Sequence, residues 1–391
     1  MIDQKHLVKL TQALIRLRSE NPPGDESRIA YFVKAYLEDL GLKPKIYEFK
    51  KNRSNVVATL EGKDNRYSLL VSPHLDTVPA GSNWKDLSPF GAVLRNGRIY
   101  GRGASDDKGN LAVLLEVVKS LVEERHILSY NFILAATADE ESGSKFGLIP
   151  LLDKGILRPK ACLILDADEF KIVVVQKGLI HLKVKLKGKS AHGAYPWQGV
   201  NAIDLALKTL SKIKSHQFVY KRNPYLHPPT VNIGKISGGD KVNMVADWCE
   251  FELDLRFLPG MFSQDIIRQI RKIVKNYAKK FAIQILAVQP PTQIDTHHPL
   301  VDYLKEAMFA CKIKPRISGS EGATVITFFE NRNIPCVATG FSCSGCAHSS
   351  NEYIKVDYLY KGAKVLERFL KNFTPLDKKH STRWISLSNR V

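Results

Sequence analysis

The chain has 391 residues, beyond the size at which one hydrophobic core usually stops growing, so two domains are expected. Its 44% hydrophobic and 25% charged residues are ordinary for a globular protein and exclude disorder as its main theme. The formal net charge is +19, but Lys and Arg are spread along the chain, with modest clusters at 183–189 and 268–280. That spread predicts a solvated Lys-rich surface, with a field that draws anionic substrates, rather than a nucleic-acid binder.

The N-terminal MIDQKHLVKL carries Asp3 where a secretory signal would be basic, and no apolar core follows. The longest apolar stretches, such as 111–118, are interrupted by Glu116 and fall short of a membrane span. A cytoplasmic protein with no membrane partner is expected. The six cysteines are scattered, unlike a small disulfide scaffold. Cys343 and Cys346 form a CxxC without the second CxxC of a structural zinc site. Two reduced thiols near a loop are expected there, with a redox pair the minor alternative.

In chain order, Leu7, Leu10, Leu14 and Leu17 recur at helical spacing, and 54–60 and 67–71 read as strands. Asn96-Gly97 between apolar runs is a hairpin signal. Residues 109–124 read as helix, and 130–137 and 161–165 as short buried strands. Strands alternating with helices predict an α/β domain with a mostly parallel sheet covered on both faces. The middle of the chain differs. Segments 179–186 and 247–257 alternate apolar and polar residues as half-buried antiparallel strands do, and helices are predicted over 201–213 and 263–277. The α/β pattern then returns, with a helix near 300–310, a strand near 336–339 and a helix over 356–370, followed by a frayed polar tail at 379–391. An α+β domain, 178–291, inserted into a discontinuous α/β domain, 1–177 and 292–391, is therefore expected.

Ligands of open α/β sheets gather at the carboxyl ends of strands. Three strand runs here end in metal-ligand residue types: Ser72-Pro73-His74-Leu75-Asp76, Asp139-Glu140-Glu141 and Asp166-Ala167-Asp168. Between the first two lies Gly101-Arg102-Gly103-Ala104-Ser105-Asp106-Asp107-Lys108-Gly109. Asp106 could be a helix N-cap, but the string is more specific than a cap requires.

The stretches SPHLDTVPAG, YGRGASDDKG, TADEESGS, LDADEF, GKSAHGAYPWQGVNAI and GCAHSSNEYI resemble, in order and spacing, the co-catalytic metallopeptidase and amidohydrolase family. That family holds acetylornithine deacetylase, succinyl-diaminopimelate desuccinylase, aminoacylase, carnosinase and glutamate carboxypeptidase. The resemblance implies a zinc-peptidase-like catalytic domain and an inserted lid and dimerisation domain. It makes His74, Asp106, Glu141, Asp166 and His348 the ligands of two divalent cations, zinc first, with cobalt or manganese as alternatives. Asp106 is implied to bridge the two and to precede a cis peptide, with Asp76 behind His74 fixing its tautomer. On chemistry alone Asp168 is as good a ligand as Asp166; the spacing to Lys177-Gly178 matches the family better for Asp166. Glu140 is implied as the general base for a water acidified by the cations, and adjacency to Glu141 lets one residue face the cation and the other the water.

The resemblance also implies that His192 stabilises the oxyanion from a partner subunit, making a homodimer. Arg256 would hold a substrate carboxylate, and Asn243, Ser320 and Gly322 would contact substrate. The loop reads Glu321 where many relatives carry Asp. His181, His216, His227, His297 and His298 match no motif. The expected function is hydrolysis of the amide bond of an N-acyl amino acid. A dipeptidase or carboxypeptidase of the same family is the alternative, and a basic nucleic-acid-binding protein without catalysis is the remote one.

Overall fold

The computed structural model describes residues 1–85 and 87–375, so the tail expected at 379–391 lies outside the described residues. The chain divides into two compact units. The first takes Met1–Val174, Ile294–Ser318 and the chain from Phe328, and the second takes Val175–Gln293 and Gly319–Thr327.

The sheet of the first unit runs, in spatial order, Lys45–Glu48, Ser54–Leu60, Asn131–Ala136, Ser68–Ser72, Ala161–Leu165, Cys336–Thr339 and Lys171–Gln176. Its four middle strands, from Asn131–Ala136 to Cys336–Thr339, are parallel, and the strands outside them are antiparallel. The parallel strands are nearly continuous apolar runs because both faces are covered; Ala161–Leu165 is buried at every residue. The helix Lys108–Glu123 is apolar nearly all round and buried along almost its whole length, as a helix enclosed in a core must be. It packs against Gln4–Arg16 and Val356–Asn372. The hairpin signal holds: Val93–Arg95 pairs with Arg98–Tyr100, with both Asn96 and Gly97 at positive φ as its turn requires.

The second unit carries a four-stranded antiparallel sheet in the order Thr230–Gly238, Trp248–Phe257, Gly178–Lys187, Lys280–Gln289. Trp248–Phe257 alternates strictly, with every second residue buried. The buried face, with Leu182, Val184, Phe251 and Leu253, packs on the helices Ala202–Ser215 and Ser263–Tyr277 through Ala206, Ile213, Ile270 and Val274. Asn201 caps the first of these helices, its side chain accepting from the Ile203 N–H at 2.9 Å. No helix among the described residues is long and apolar enough to cross a membrane.

Candidate metal centre

The parallel strands of the first unit deliver the cluster. His74 follows Ser68–Ser72, Glu140 and Glu141 open a single helical turn after Asn131–Ala136, and Asp166 follows Ala161–Leu165. Asp106 ends the Gly-rich loop before the helix Lys108–Glu123, across a cis bond to Asp107. Gly109 is needed there: a Cβ would sit 2.3 Å from the Ala104 carbonyl oxygen. Asp107, rather than Asp106, occupies the N-cap position, and its carboxylate instead accepts from the His74 N–H at 3.0 Å and the Asn110 amide at 2.6 Å.

Ligand atoms of His74, Asp106 and Glu141 all lie within 4.8 Å of one another. The two oxygens of Asp106 address different imidazoles: Oδ1 is 2.8 Å from His74 Nε2 and Oδ2 is 3.2 Å from His348 Nε2. His348 Nε2 also lies 3.1 Å from Glu141 Oε2. A carboxylate with one oxygen turned to each of two imidazoles is the arrangement a bridging ligand needs. Mixed imidazole and carboxylate donors suit zinc, cobalt or manganese. The residues therefore fit a cation pair.

The electrostatics place Asp166 and Glu140 beside the cluster. Burial and the nearby charge of Asp106 raise Asp166 to about 6. Burial, then the charge of Asp166, raises Glu140 well above the usual carboxylate range. Burial would also raise Asp106, but hydrogen bonds from His348 and His74 outweigh it and hold that carboxyl below its ordinary value. Asp168 faces other work: both its oxygens lie 3.3 Å from Lys171 Nζ. It is half-buried and paired.

Asp76 does more than stand behind His74. The His74 Nδ1–H donates to the Asp76 backbone carbonyl at 2.9 Å, leaving Nε2 to face the cluster, while the Asp76 carboxylate is farther off at 3.5 Å. That carboxylate accepts the N–H groups of Glu140 and Glu141 at 3.0 and 3.1 Å and the Asn21 amide at 2.8 Å. It locks two strand-end loops together. Asp139, which precedes them at φ 65, is held by Arg53 at 2.8 Å, and Arg53 grips Glu26 with two donors.

Glu352 is the functional residue that reading the sequence missed. Fully buried, it accepts from Arg102 at 2.5 Å and from the N–H groups of Gly103, Ser105 and Asp106 at 3.1, 2.7 and 3.0 Å. Burial lifts its carboxyl to about 7 although Arg102 lies beside it. Its signal was the invitation of an acidic residue four places after His348 in GCAHSSNEYI, which composition could not distinguish from a surface Glu. Glu352→Ala strands the buried Arg102 guanidinium and three N–H groups, so a loss of about 3–5 kcal/mol is expected in urea unfolding; an unchanged midpoint would refute this.

The cation-free cluster makes a pH prediction. Hydrogen bonds to Asp106 and Glu141 raise His348 to about 10. At His74 burial opposes, yet Asp106 and Asp76 prevail and raise it as well. The carboxylates thus raise the proton affinity of both rings, whereas a cation needs the neutral imidazole. Cation binding is expected to expel protons, and apparent affinity to climb as pH rises toward 10. Calorimetry in two buffers of different ionisation heat checks it; equal heats would contradict proton release.

The remaining candidates belong to the second unit. His192 is exposed, and its Nδ1 accepts from the Ala194 N–H at 3.0 Å, which leaves the proton on Nε2 as an outward donor. Asn243 lies in the same corner, its carbonyl accepting from the Gly193 N–H at 2.8 Å. Arg256 is half-buried and already bidentate on Asp254 at 2.7 and 3.1 Å. Ser320 Oγ accepts from the Gly322 N–H at 3.2 Å. Glu321 pairs with buried Lys177 at 2.5 Å and with His227 at 2.9 Å. His181 lies 3.6 Å from Asp254 and His216 bonds Gln269 at 2.7 Å.

Residues 70–372 match the family described as Peptidase family M20/M25/M40. The chain is 26% identical over 356 residues to an acetylornithine deacetylase of Edwardsiella ictaluri (strain 93-146), covering 88% of this chain and 91% of that protein. It is 28% identical over 413 aligned positions to an uncharacterised metallohydrolase of Methanocaldococcus jannaschii, covering 93% and 98%. Among solved structures, a tripeptidase of Staphylococcus aureus superposes with a TM-score of 0.80 at 25% identity, over 95% of this chain and 98% of that one. Since the family match takes in every residue of the cluster, the chain belongs to peptidase family M20/M25/M40 and is a hydrolase of its metallopeptidase and amidohydrolase class.

Proposed function

We propose that this protein hydrolyses the amide bond of an N-acyl amino acid, with Glu140 moving the proton. The observation that carries the reading is Asp106 with one oxygen toward His74 and the other toward His348, beside a Glu140 whose carboxyl no described residue hydrogen-bonds. His74, Asp166 and the shared Asp106 would hold one divalent cation and Asp106, Glu141 and His348 a second, and these, when bound, supply Lewis acidity that polarises the carbonyl and acidifies water.

Glu140 takes a proton from the attacking water and returns it to the leaving amine nitrogen. Burial of its carboxyl favours the protonated form that delivers the proton to the nitrogen. Asp76 keeps the Glu140 and Glu141 backbones fixed, so base and ligand hold their spacing through the cycle. His192, protonated on Nε2, is a neutral donor suited to the oxyanion of the tetrahedral intermediate. We assign it to a partner subunit's site in a homodimer, with the inserted unit as lid and interface; a monomer under turnover conditions by sedimentation would remove this part.

Arg256 would exchange Asp254 for a substrate carboxylate. A screen of acylated amino acids and dipeptides is expected to find N-acyl amino acids as the best substrates. Arg256→Ala should raise KM about tenfold to a hundredfold, the scale of a lost charge-assisted pair, with kcat less affected. An unchanged KM would exclude Arg256 as the carboxylate grip. The likeness to a tripeptidase favours short peptides as the second reading, and preference for dipeptides in the same screen would establish it.

A further inference from the structure

The CxxC of the C-terminal loop is not used by the hydrolytic site. Cys343 and Cys346 are both buried, and both carry free thiols. The turn between them is already closed, with the Cys346 N–H on the Cys343 carbonyl at 3.2 Å, while Ser344 and Gly345 at its tip are exposed. Two thiols could instead mark a soft-metal site. Among the described residues, however, no third His, Cys, Asp or Glu joins them within ligand range. What remains is a dithiol whose two residues stand at the ends of one closed turn, which brings their Cα atoms within about 7 Å, the reach of a disulfide.

The turn is tied to the cluster at both ends. The Cys343 N–H donates to Ser105 Oγ at 3.1 Å, next to Asp106. The Cys346 carbonyl accepts from Ser349 Oγ at 2.7 Å, and these two residues bracket His348. His348 itself sits at φ 60, a left-handed conformation its neighbours must hold. Its side chain is 55% exposed, so few packing contacts fix it.

We propose that Cys343 and Cys346 form a reversible disulfide, with hydrogen peroxide as oxidant, that clamps the loop carrying His348. One thiol attacks a peroxide oxygen, becoming a sulfenic acid and releasing water. The second thiol displaces the sulfenic hydroxyl as another water. The two thiols give up two electrons, and their protons leave in the waters. The closed turn already holds the two residues within disulfide reach, so the bond fixes the loop near its present shape. Cys162 and Cys336 are also neighbours, as register partners on adjoining strands in the sheet interior, and they serve as the internal control. The effect on His348 rests on the metal-centre reading above; the disulfide does not.

The test treats the full-length protein with peroxide, alkylates the remaining thiols and maps peptides by mass spectrometry. The expected result is loss of two hydrogens across Cys343–Cys346, the thiol titre of the unfolded chain falling from six to four. A phosphine reductant should restore all of them. Recovery of both cysteines as alkylated thiols, with Cys162 and Cys336 oxidised instead, would overturn the proposal. Amide hydrogen exchange over 341–350 should slow by about tenfold on oxidation, and not in Cys343→Ala or Cys346→Ser; equal rates would overturn the clamp. His348→Ala should still form the disulfide. Undiminished cation binding by that variant would sink the metal-centre reading and leave the disulfide standing.

Discussion

Glu140→Ala is expected to cut turnover by about 10³-fold to 10⁴-fold, the range for losing a positioned general base, while cation content stays at the wild-type value. The division rests on geometry. Glu141 is engaged with His348 at 3.1 Å, and no described residue hydrogen-bonds the Glu140 carboxyl. Removing Glu140 therefore takes away a proton carrier and no ligand. Steady-state rates together with elemental analysis of the same sample decide the matter. Turnover near the wild-type rate would remove Glu140 from the mechanism, and loss of cation would make it a ligand instead.

His348→Ala is the complementary case. The variant should retain one cation in place of two and lose most of its activity, while its folding is nearly untouched. The side chain is 55% exposed, and among the described residues its Nε2 is paired only with Asp106 and Glu141. Surface truncations of this kind usually stay within about 0.5 kcal/mol. A drop in metal content at constant unfolding midpoint thus reads ligation directly. Asp106→Ala would confound the two, because Asp106 is half-buried and its backbone is tied to Glu352. Full occupancy in His348→Ala would mean that Asp106 and Glu141 hold the second cation without it.

Much of the architecture was written in residue order. The strands Ala161–Leu165 and Cys336–Thr339, the Asn96-Gly97 turn and the strict alternation of Trp248–Phe257 all follow from local periodicity. The cluster residues at strand ends were legible for the same reason, since a parallel sheet sends its carboxyl ends to one side. What local pattern could not supply were interactions set by distant partners. Glu352 reads like any surface Glu until the fold encloses it with Arg102. Asp76 was expected behind His74 and stands there, but its carboxylate also holds the Glu140 and Glu141 amides, 64 and 65 positions away, which local pattern could not show. Arg256 offered itself as a free cation, yet its same-face neighbour two residues back, Asp254, meets it first. The Lys171 that pairs with Asp168 was likewise not legible from local pattern.

Glu352 accepts the amides of a loop almost 250 positions earlier in the chain, and His348 lies just before it. During synthesis, the segment bearing His74, Asp106, Glu141 and Asp166 emerges from the ribosome long before either residue. A nascent chain arrested short of this stretch would have one histidine corner vacant and the Gly103–Asp106 turn without its anchor. On the proposed ligand set, capture of a second ion therefore waits until the stretch bearing His348 and Glu352 has been made.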